Sequence, residues 1–238
     1  MFPMPNSYFQ FKQFTVWHDK CAMKVGTDGV LLGAWTDVSD ATSVLDIGTG
    51  TGLVALMIAQ RCSAEIIAIE IDENAAGQAV ENVKRTPWNN RISVENKDFK
   101  DFNYSEQFDR IVSNPPYFTD SLLSPNEKRT MARHTNELTF TELIEGAAKL
   151  LAPDGEFSLI IPNDALFKIT EIASRVGLYP VRQTNVIPKP GSPPKRALIS
   201  FSFNKNKNLE TEELVVELAR HQYSPEYISL TKEFYLKM

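Results

Sequence analysis

Residues 43–52 read SVLDIGTGTG, a short run suited to a buried strand that breaks into glycines at alternate positions, and the helix-like stretch LVALMIAQR (53–61) follows it. Glycines at such a turn let the backbone bend tightly and approach a ligand with no Cβ in the way. The next strand-like run, EIIAIEI (65–71), carries Glu70 near its end, 18 residues after Gly52. A carboxylate there can accept two hydrogen bonds from ribose hydroxyls. Strand, glycine turn, helix, strand and terminal acid together predict a nucleoside site. The spacing is GxGxG rather than the dinucleotide pattern GxGxxG. The competing reading is a glycine turn needed only for close helix packing, with Glu70 as a surface acid.

Outward from this unit the alternation continues. ENAAGQAVENVKR (73–85) has helical spacing, and RISVEN (91–96) and FDRIVSN (108–114) are strand-like. FTELIEGAAKLLA (140–152) reads as a helix ended by Pro153-Asp154-Gly155, EFSLIIP (156–162) as a strand, and ALFKITEIASRVG (165–177) as a helix closed by Gly177. Continuous apolar strands between helices predict an α/β fold with a mostly parallel sheet covered on both faces. VRQTNVI (181–187) and RALISFSF (196–203) flank the short loop PKPGSPPK (188–195), which implies an antiparallel pair. YFQFKQFTVWH (8–18) alternates like a hairpin or edge strand, and the tail from Glu213 onward suggests a helix and a closing segment. With no internal repeat and no long linker, one domain is expected over 1–238: a leading segment (1–40), the core sheet (41–203) and a helical tail (204–238).

At 238 residues the chain can bury a substantial core, and it has no run of 18 or more apolar residues that would span a bilayer. The start MFPMPNSYFQFKQF lacks the basic and apolar regions of a secretory signal. Two cysteines, Cys21 and Cys62, fit neither a CxxC nor a zinc pattern, so a reducing, cytoplasmic setting is expected. His18, His134 and His221 are scattered, and no metal site is expected. The net charge of −5 argues against a generic nucleic-acid coat protein but leaves room for a local basic face. Between Ile172 and Leu209 there are seven basic residues (Arg175, Arg182, Lys189, Lys195, Arg196, Lys205, Lys207) and no acidic one.

The turn's own acid suggests which nucleoside. A pyrophosphate on a helix N-terminus suits NAD sites, but Asp46 at the mouth of this turn would repel one. It would suit an ammonium group, which S-adenosylmethionine carries. Asp98, near the end of SVENKDF (93–99), is then placed to accept from the adenine amino group, unless it is simply a helix cap or solvated.

VSNPPYF (112–118) ends the strand begun at Arg110. Pro115 and Pro116 cannot donate to a sheet ladder and must stop it, leaving a stiff stub that carries Asn114 and Tyr117. Such a stub suits a small-molecule or base pocket but does not alone show what it holds. A planar NH₂ group is what its resemblance to a methyltransferase motif implies. An exocyclic amine is a poor nucleophile because its lone pair is delocalised. If the Asn114 side-chain oxygen and the Pro115 carbonyl accept its N–H bonds, the nitrogen can pyramidalise, and positive charge developing there is stabilised. Tyr117 can stack on a base. An amide NH₂ poses the same chemical problem, so the stub alone does not distinguish adenine from glutamine.

DIGTGTG, Glu70, Asp98 and NPPY in this order resemble class I methyltransferases, whose sheet usually has seven strands with the last antiparallel. The resemblance implies a Rossmann-like core, S-adenosylmethionine as methyl donor, and a cofactor site including Asp46, Gly48, Thr49, Gly50, Glu70 and Asp98. It also implies a transfer site formed by Asn114, Pro115, Pro116 and Tyr117 facing the same crevice. HDKCAMKVGTDGVLLGAW (18–35), together with a likeness running through KPGSPPKRALISF (189–201) to the terminal FYLKM, is similar to the bacterial tRNA1(Val) (adenine-N6)-methyltransferase family. In that family the leading segment helps close the cofactor site, which would put Lys24, Gly26 and Thr27 near it. Read without the family, the segment is a helix N-terminus capped by Thr27 or Asp28.

The resemblance makes tRNA the expected partner, with the methyl acceptor an adenine beside the anticodon of a valine tRNA. Lys189, Lys195 and Arg196 on the proline-rich loop, and Lys128, Arg129 and Arg133 in KRTMARH (128–134), are the expected phosphate contacts. Two alternatives stay open on the sequence. One is a glutamine N5-methyltransferase acting on release factors, although those enzymes normally carry a separate N-terminal helical domain. The other is a non-catalytic RNA-binding module.

Overall fold

The structure, a computed structural model, describes residues 6–21, 24–116 and 138–238. Tyr117, Lys128, Arg129 and Arg133 lie outside the described residues.

The glycine-turn unit forms as its pattern requires: strand β3 (Ser43–Ile47), helix α2 (Leu53–Arg61) and strand β4 (Glu65–Glu70). Helix α3 (Glu73–Lys84) and strands β5 (Ile92–Asn96) and β6 (Phe108–Ser113) follow. Helix α4 (Phe140–Leu150) opens with a full capping box, Thr139 and Glu142 each satisfying the other's backbone N–H. It stops three residues short of Pro153, because Leu151 already pairs with Phe108 and begins strand β7 (Leu151–Pro162). Helix α5 (Leu166–Arg175) ends at Gly177, which takes a left-handed φ of 80°. Strands β8 (Tyr179–Ile187) and β9 (Arg196–Ser202) form the expected antiparallel pair.

These strands make one sheet in the order β5-β4-β3-β6-β7-β9-β8, of which β9 alone runs against the rest. The seven-stranded core is therefore the expected one. An eighth strand, β10 (Glu210–Val215), extends it by pairing parallel with β8. The tail read as helical is thus only partly so. After β10 come a small hairpin, β11 (Glu217–Ala219) with β12 (Gln222–Tyr223), and helix α6 (Pro225–Thr231). Glu210, Glu212 and Glu213 lie exposed on β10, and charges on an edge strand oppose further pairing.

Alternate side chains along each strand feed two cores. Val44, Ile66, Val112 and Ile160 pack with helix α1 (Thr27–Trp35) and α2, while Leu45, Ile69, Ile111 and Leu159 pack with α4 and α5. The leading segment forms a hairpin, β1 (Tyr8–Gln10) with β2 (Thr15–Trp17), and then α1, which is buried from Gly29 to Trp35. The N-cap of α1 is Gly26, not Thr27 or Asp28, and it makes no side-chain capping bond. Asp28 is in the first helical turn, and its carboxylate accepts instead from Arg196. Among the described residues no helix is long and apolar enough to cross a membrane.

Candidate active site

The chain switches direction across the sheet at β3, with β4 on one side and β6 on the other, so a crevice opens beyond the carboxyl ends of β3 and β6. The glycine turn lies there. Gly48 (φ 70°) and Gly50 (φ 56°) are left-handed, and a Cβ on either would meet nothing within 4 Å. Gly52 (φ 83°) differs, since a Cβ there would lie 3.4 Å from Cβ of Ala79 on α3. Close helix packing therefore accounts for Gly52 only. Gly48 and Gly50 leave an open cradle of bare backbone at the mouth of α2.

Glu70 closes the cradle from the next strand. Its Oε2 accepts from the Gly50 N–H at 2.8 Å and its Oε1 from the Asp72 N–H at 3.0 Å. A carboxylate offers about four lone-pair sites, so each oxygen keeps room for a further donor such as a ribose hydroxyl. The Gly48 and Thr49 N–H groups both donate to the Ile69 carbonyl, which ties the turn to β4.

Asp46 is not where the sequence reading put it. It is 1 % exposed, and its Oδ2 accepts from the Thr49 hydroxyl at 2.6 Å and the Ala55 N–H at 3.2 Å. The carboxylate is sealed under the turn and braces it; the ligand ammonium imagined at the mouth does not have this group in the open. Burial pushes its pKa up to about 7, with the Thr49 and Ala55 bonds pulling the other way and the Glu70 charge adding to the rise. Thr49 is correspondingly buried, its hydroxyl turned inward to Asp46. Asp98 acts as a helix cap: its Oδ1 accepts from the Lys100 N–H at 2.9 Å at the start of a short 3₁₀ turn, and its Oδ2 stands 3.8 Å from the Lys100 ammonium.

On the other side of the crevice Ser113 pairs with Ile47, so Asn114 leaves β6 directly beside Gly48 leaving β3. The Ser113 hydroxyl donates to the Ile47 carbonyl at 2.8 Å and locks the two strand ends together. Pro115 is buried and Pro116 exposed. The first turn of α1 flanks the same spot. A Cβ on Gly29 would lie 2.9 Å from Leu53 and 3.9 Å from Asn114 Nδ2. Lys24, Gly26 and Thr27 precede it and are exposed. The leading segment is thus brought beside the asparagine, at the carboxyl end of the sheet.

The proline-rich loop reaches the same end, because Arg196 pairs with Pro162 at the carboxyl end of β7. Lys189 and Lys195 are exposed, and together with Arg196, Thr27, Asp28 and Leu31 they line a groove of about 480 Å³. Arg196 Nε donates to Asp28 Oδ2 at 2.9 Å, linking the loop to α1. The rest of the basic window is elsewhere. Arg175 pairs with Glu171, Lys207 pairs with Glu156, and Lys205 lies over the Tyr179 ring, all toward the opposite end of the sheet. Arg182 stacks on Trp35, 4.3 Å from the ring centroid.

Two positioning residues escaped the sequence reading. Ser113 is one. The other is Asn82 on α3, fully buried: it exchanges two hydrogen bonds with the Trp17 backbone (2.8 and 2.9 Å) and donates to the Thr51 carbonyl at 2.9 Å. It ties the N-terminal hairpin to the glycine turn. An asparagine on the apolar face of a helix, where its propensity is poor, was the available signal.

Residues 25–177 match the methyltransferase small domain. A protein of Bacteroides fragilis (strain YCH46) named tRNA1(Val) (adenine(37)-N6)-methyltransferase is 60% identical over 238 residues, covering 99% of this chain and 100% of the relative. Proteins of the same name from Bacteroides thetaiotaomicron and Flavobacterium johnsoniae are 59% and 48% identical, covering 99% and 97% of this chain and 100% of each relative. Among solved structures, a predicted O-methyltransferase from Agrobacterium tumefaciens superposes with a TM-score of 0.68 at 21% identity, covering 87% of this chain and 96% of that one. A ribosomal protein L11 methylase from Lactobacillus delbrueckii subsp. bulgaricus gives 0.52 at 18% identity, covering 73% and 76%. With a domain match over more than half of its length and full-length likeness of this degree, the chain belongs to the tRNA1(Val) (adenine(37)-N6)-methyltransferase family of methyltransferase small-domain proteins.

Proposed function

We propose that this chain transfers a methyl group from S-adenosylmethionine to the exocyclic N6 amine of an adenine in tRNA, the adenine at position 37 beside the anticodon of a valine tRNA. The observation that carries the reading is the register of Ser113 with Ile47, which sets Asn114 beside the open backbone of Gly48 and Gly50.

The residues present suit the cofactor. Gly48 and Gly50 offer backbone that a bound nucleoside can approach where a Cβ would stand, Glu70 has lone pairs left for ribose hydroxyls, and Asp98 can turn Oδ2 toward an adenine amino group while Oδ1 caps its turn. Lys24, Gly26 and Thr27 would close the site from above. Asp46 takes a supporting role, holding Thr49 and the start of α2 in place. When bound, S-adenosylmethionine supplies an electrophilic sulfonium methyl group.

The chain's own part is positioning and electrostatics. Asn114 Oδ1 and the Pro115 carbonyl accept the two N–H bonds of the target amine and aim its lone pair at the cofactor end of β3. The same two oxygens stabilise the positive charge that builds on nitrogen. Pro115 and Pro116 keep this short segment stiff, and Tyr117 stacks on the base. A base in an anticodon loop is already partly unstacked, so drawing it out costs less than flipping one from a duplex. Lys189 and Lys195, with Lys128, Arg129 and Arg133, hold phosphates at the rim. The proposed setting is the cytoplasm, where tRNA is found.

The test is incubation with methyl-labelled S-adenosylmethionine and either unmodified tRNA or a release factor, followed by digestion of each product. N6-methyladenosine recovered from tRNA is the expected result. Label appearing as methylglutamine instead would keep the fold and overturn the substrate.

A further inference from the structure

Beside the basic groove lies a second, of about 610 Å³, and the two share Thr27, Val216 and Glu217, so that one trough crosses the start of α1. The second half is aromatic. Tyr227, only 2 % exposed, and Tyr235 form its floor, with their hydroxyls 3.4 Å apart, while Tyr8 and Tyr223 stand 43 % and 37 % exposed. These exposed rings are held in place. Tyr223 stacks on Tyr227 with centroids 5.1 Å apart, and Tyr8 leans on Trp17 at 4.9 Å. The two ends of the chain build this wall together. Phe11 bridges to Tyr235, and the Lys12 N–H donates to the Phe234 carbonyl at 2.8 Å. Glu217 and Lys237 set opposite charges along it.

We infer that this trough carries the unpaired RNA strand leading into the target site, with bases stacking on Tyr223 and Tyr8 and phosphates following Lys189 and Lys195. The inference deepens the tRNA reading and rests on it. Three observations favour RNA as the occupant. Every base has a π face, so exposed fixed rings bind a single strand whatever its sequence. The aromatic half adjoins, through Thr27, Val216 and Glu217, a half where Lys189 and Lys195 stand exposed and Arg196 pairs with Asp28, and the two lysines suit a phosphate backbone. The junction at Thr27 is two residues from Gly29, whose Cβ position is 3.9 Å from Asn114 Nδ2. The start of α1 therefore stands beside Asn114, within reach of the neighbours of a base held there.

The experiment titrates the full chain with a fluorescent, unmodified anticodon stem-loop of valine tRNA, and separately with S-adenosylmethionine. Tyr223→Ala and Tyr8→Ala are each expected to weaken RNA binding by about 5- to 150-fold, the range of one lost base–aromatic stack. Tyr223→Phe, which keeps the ring, should bind like the unsubstituted chain, and cofactor affinity should hold in all three. RNA affinity unchanged in both alanine variants overturns the inference. So does a shift in oligomeric state at unchanged RNA affinity, which would give the trough to a second copy. If an alanine variant also loses cofactor binding, the unsubstituted chain decides: a 4-thiouridine-bearing stem-loop should crosslink to peptides containing Tyr8 or Tyr223, and crosslinks confined to other peptides overturn the path. If the unsubstituted chain neither binds nor methylates tRNA, the failure belongs to the substrate reading.

Discussion

Asn114 and Asp46 stand on neighbouring strands, yet they serve opposite purposes. Asn114 is at a strand end, partly buried, with a proline on its C-terminal side. Its proposed task is to hold an amine whose charge changes during transfer. Asn114→Ala should therefore leave S-adenosylmethionine affinity intact by calorimetry and lower turnover on tRNA by on the order of 100-fold or more, the scale for one preorganised polar group. Unaltered turnover would remove Asn114 from the reaction. Asp46 is buried, and burial raises its pKa to about 7. A raised carboxyl pKa means that the fold retains a proton which the unfolded chain releases near 3.8. The associated stability is fully present below that value and is lost as pH rises through about 7, a change on the order of 4 kcal/mol. Asp46→Asn removes this titration. Thermal melts should then show a smaller gap in Tm between pH 5 and pH 8 than in the unsubstituted chain; an identical gap would mean that Asp46 is ionised in the fold at both.

At the scale of elements, the site depends on two ties between pieces distant in sequence. Asn82 joins α3 to β2 and to the glycine turn through three hydrogen bonds, all buried or partly so. Alanine there strands backbone groups of Trp17 and Thr51, at about 1–3 kcal/mol for a buried unsatisfied group. Asn82→Ala is expected to lower the urea midpoint and to weaken S-adenosylmethionine binding together, since the turn loses a brace. Loss of stability with cofactor affinity intact would show that the turn stands without the hairpin. The second tie is Arg196 to Asp28, loop to α1. Reversing the charge of Arg196 would set two carboxylates face to face and disturb the helix beside Asn114, so Arg196 is a poor probe of RNA contact by itself.

Across the whole molecule, the basic window divides between the two ends of the sheet. Lys189 and Lys195 share the carboxyl end with the glycine turn, while Lys205 and Lys207 follow β9 out toward the other. The pair Lys189→Glu/Lys195→Glu should weaken tRNA binding and reduce the slope of log affinity against log salt by about 1.4, the value for two single-strand phosphate contacts. Lys205→Glu/Lys207→Glu should leave both unchanged in the same filter-binding series. Equal effects from the two pairs would mean that RNA is held by diffuse charge rather than by the active-site end.

Local pattern was enough to find the periodic elements and the chemistry at their ends. Apolar spacing placed the core strands and helices from β3 to β9 within a few residues, because burial of a face is written at local intervals of two or 3.6 residues. The glycines at 48 and 50 and the prolines at 115 and 116 announced a cradle and a stub, because backbone restriction is local too. The tail differs from the helical expectation for the stretch from Glu213: Glu210–Val215 pairs with β8 and Glu217–Ala219 with β12, contacts that local pattern does not encode. It took the assembled sheet to show which way Asp46 faces, that Asp98 caps a turn, that Asn82 and Ser113 brace the strand ends and the turn, and which lysines share their end of the sheet. Asn82, Ser113 and the lysines depend on strand order and direction, through contacts between residues tens of positions apart that no local period records. Asp46 and Asp98 bond to partners within ten positions, and the fold packed around them sets which way each carboxylate points.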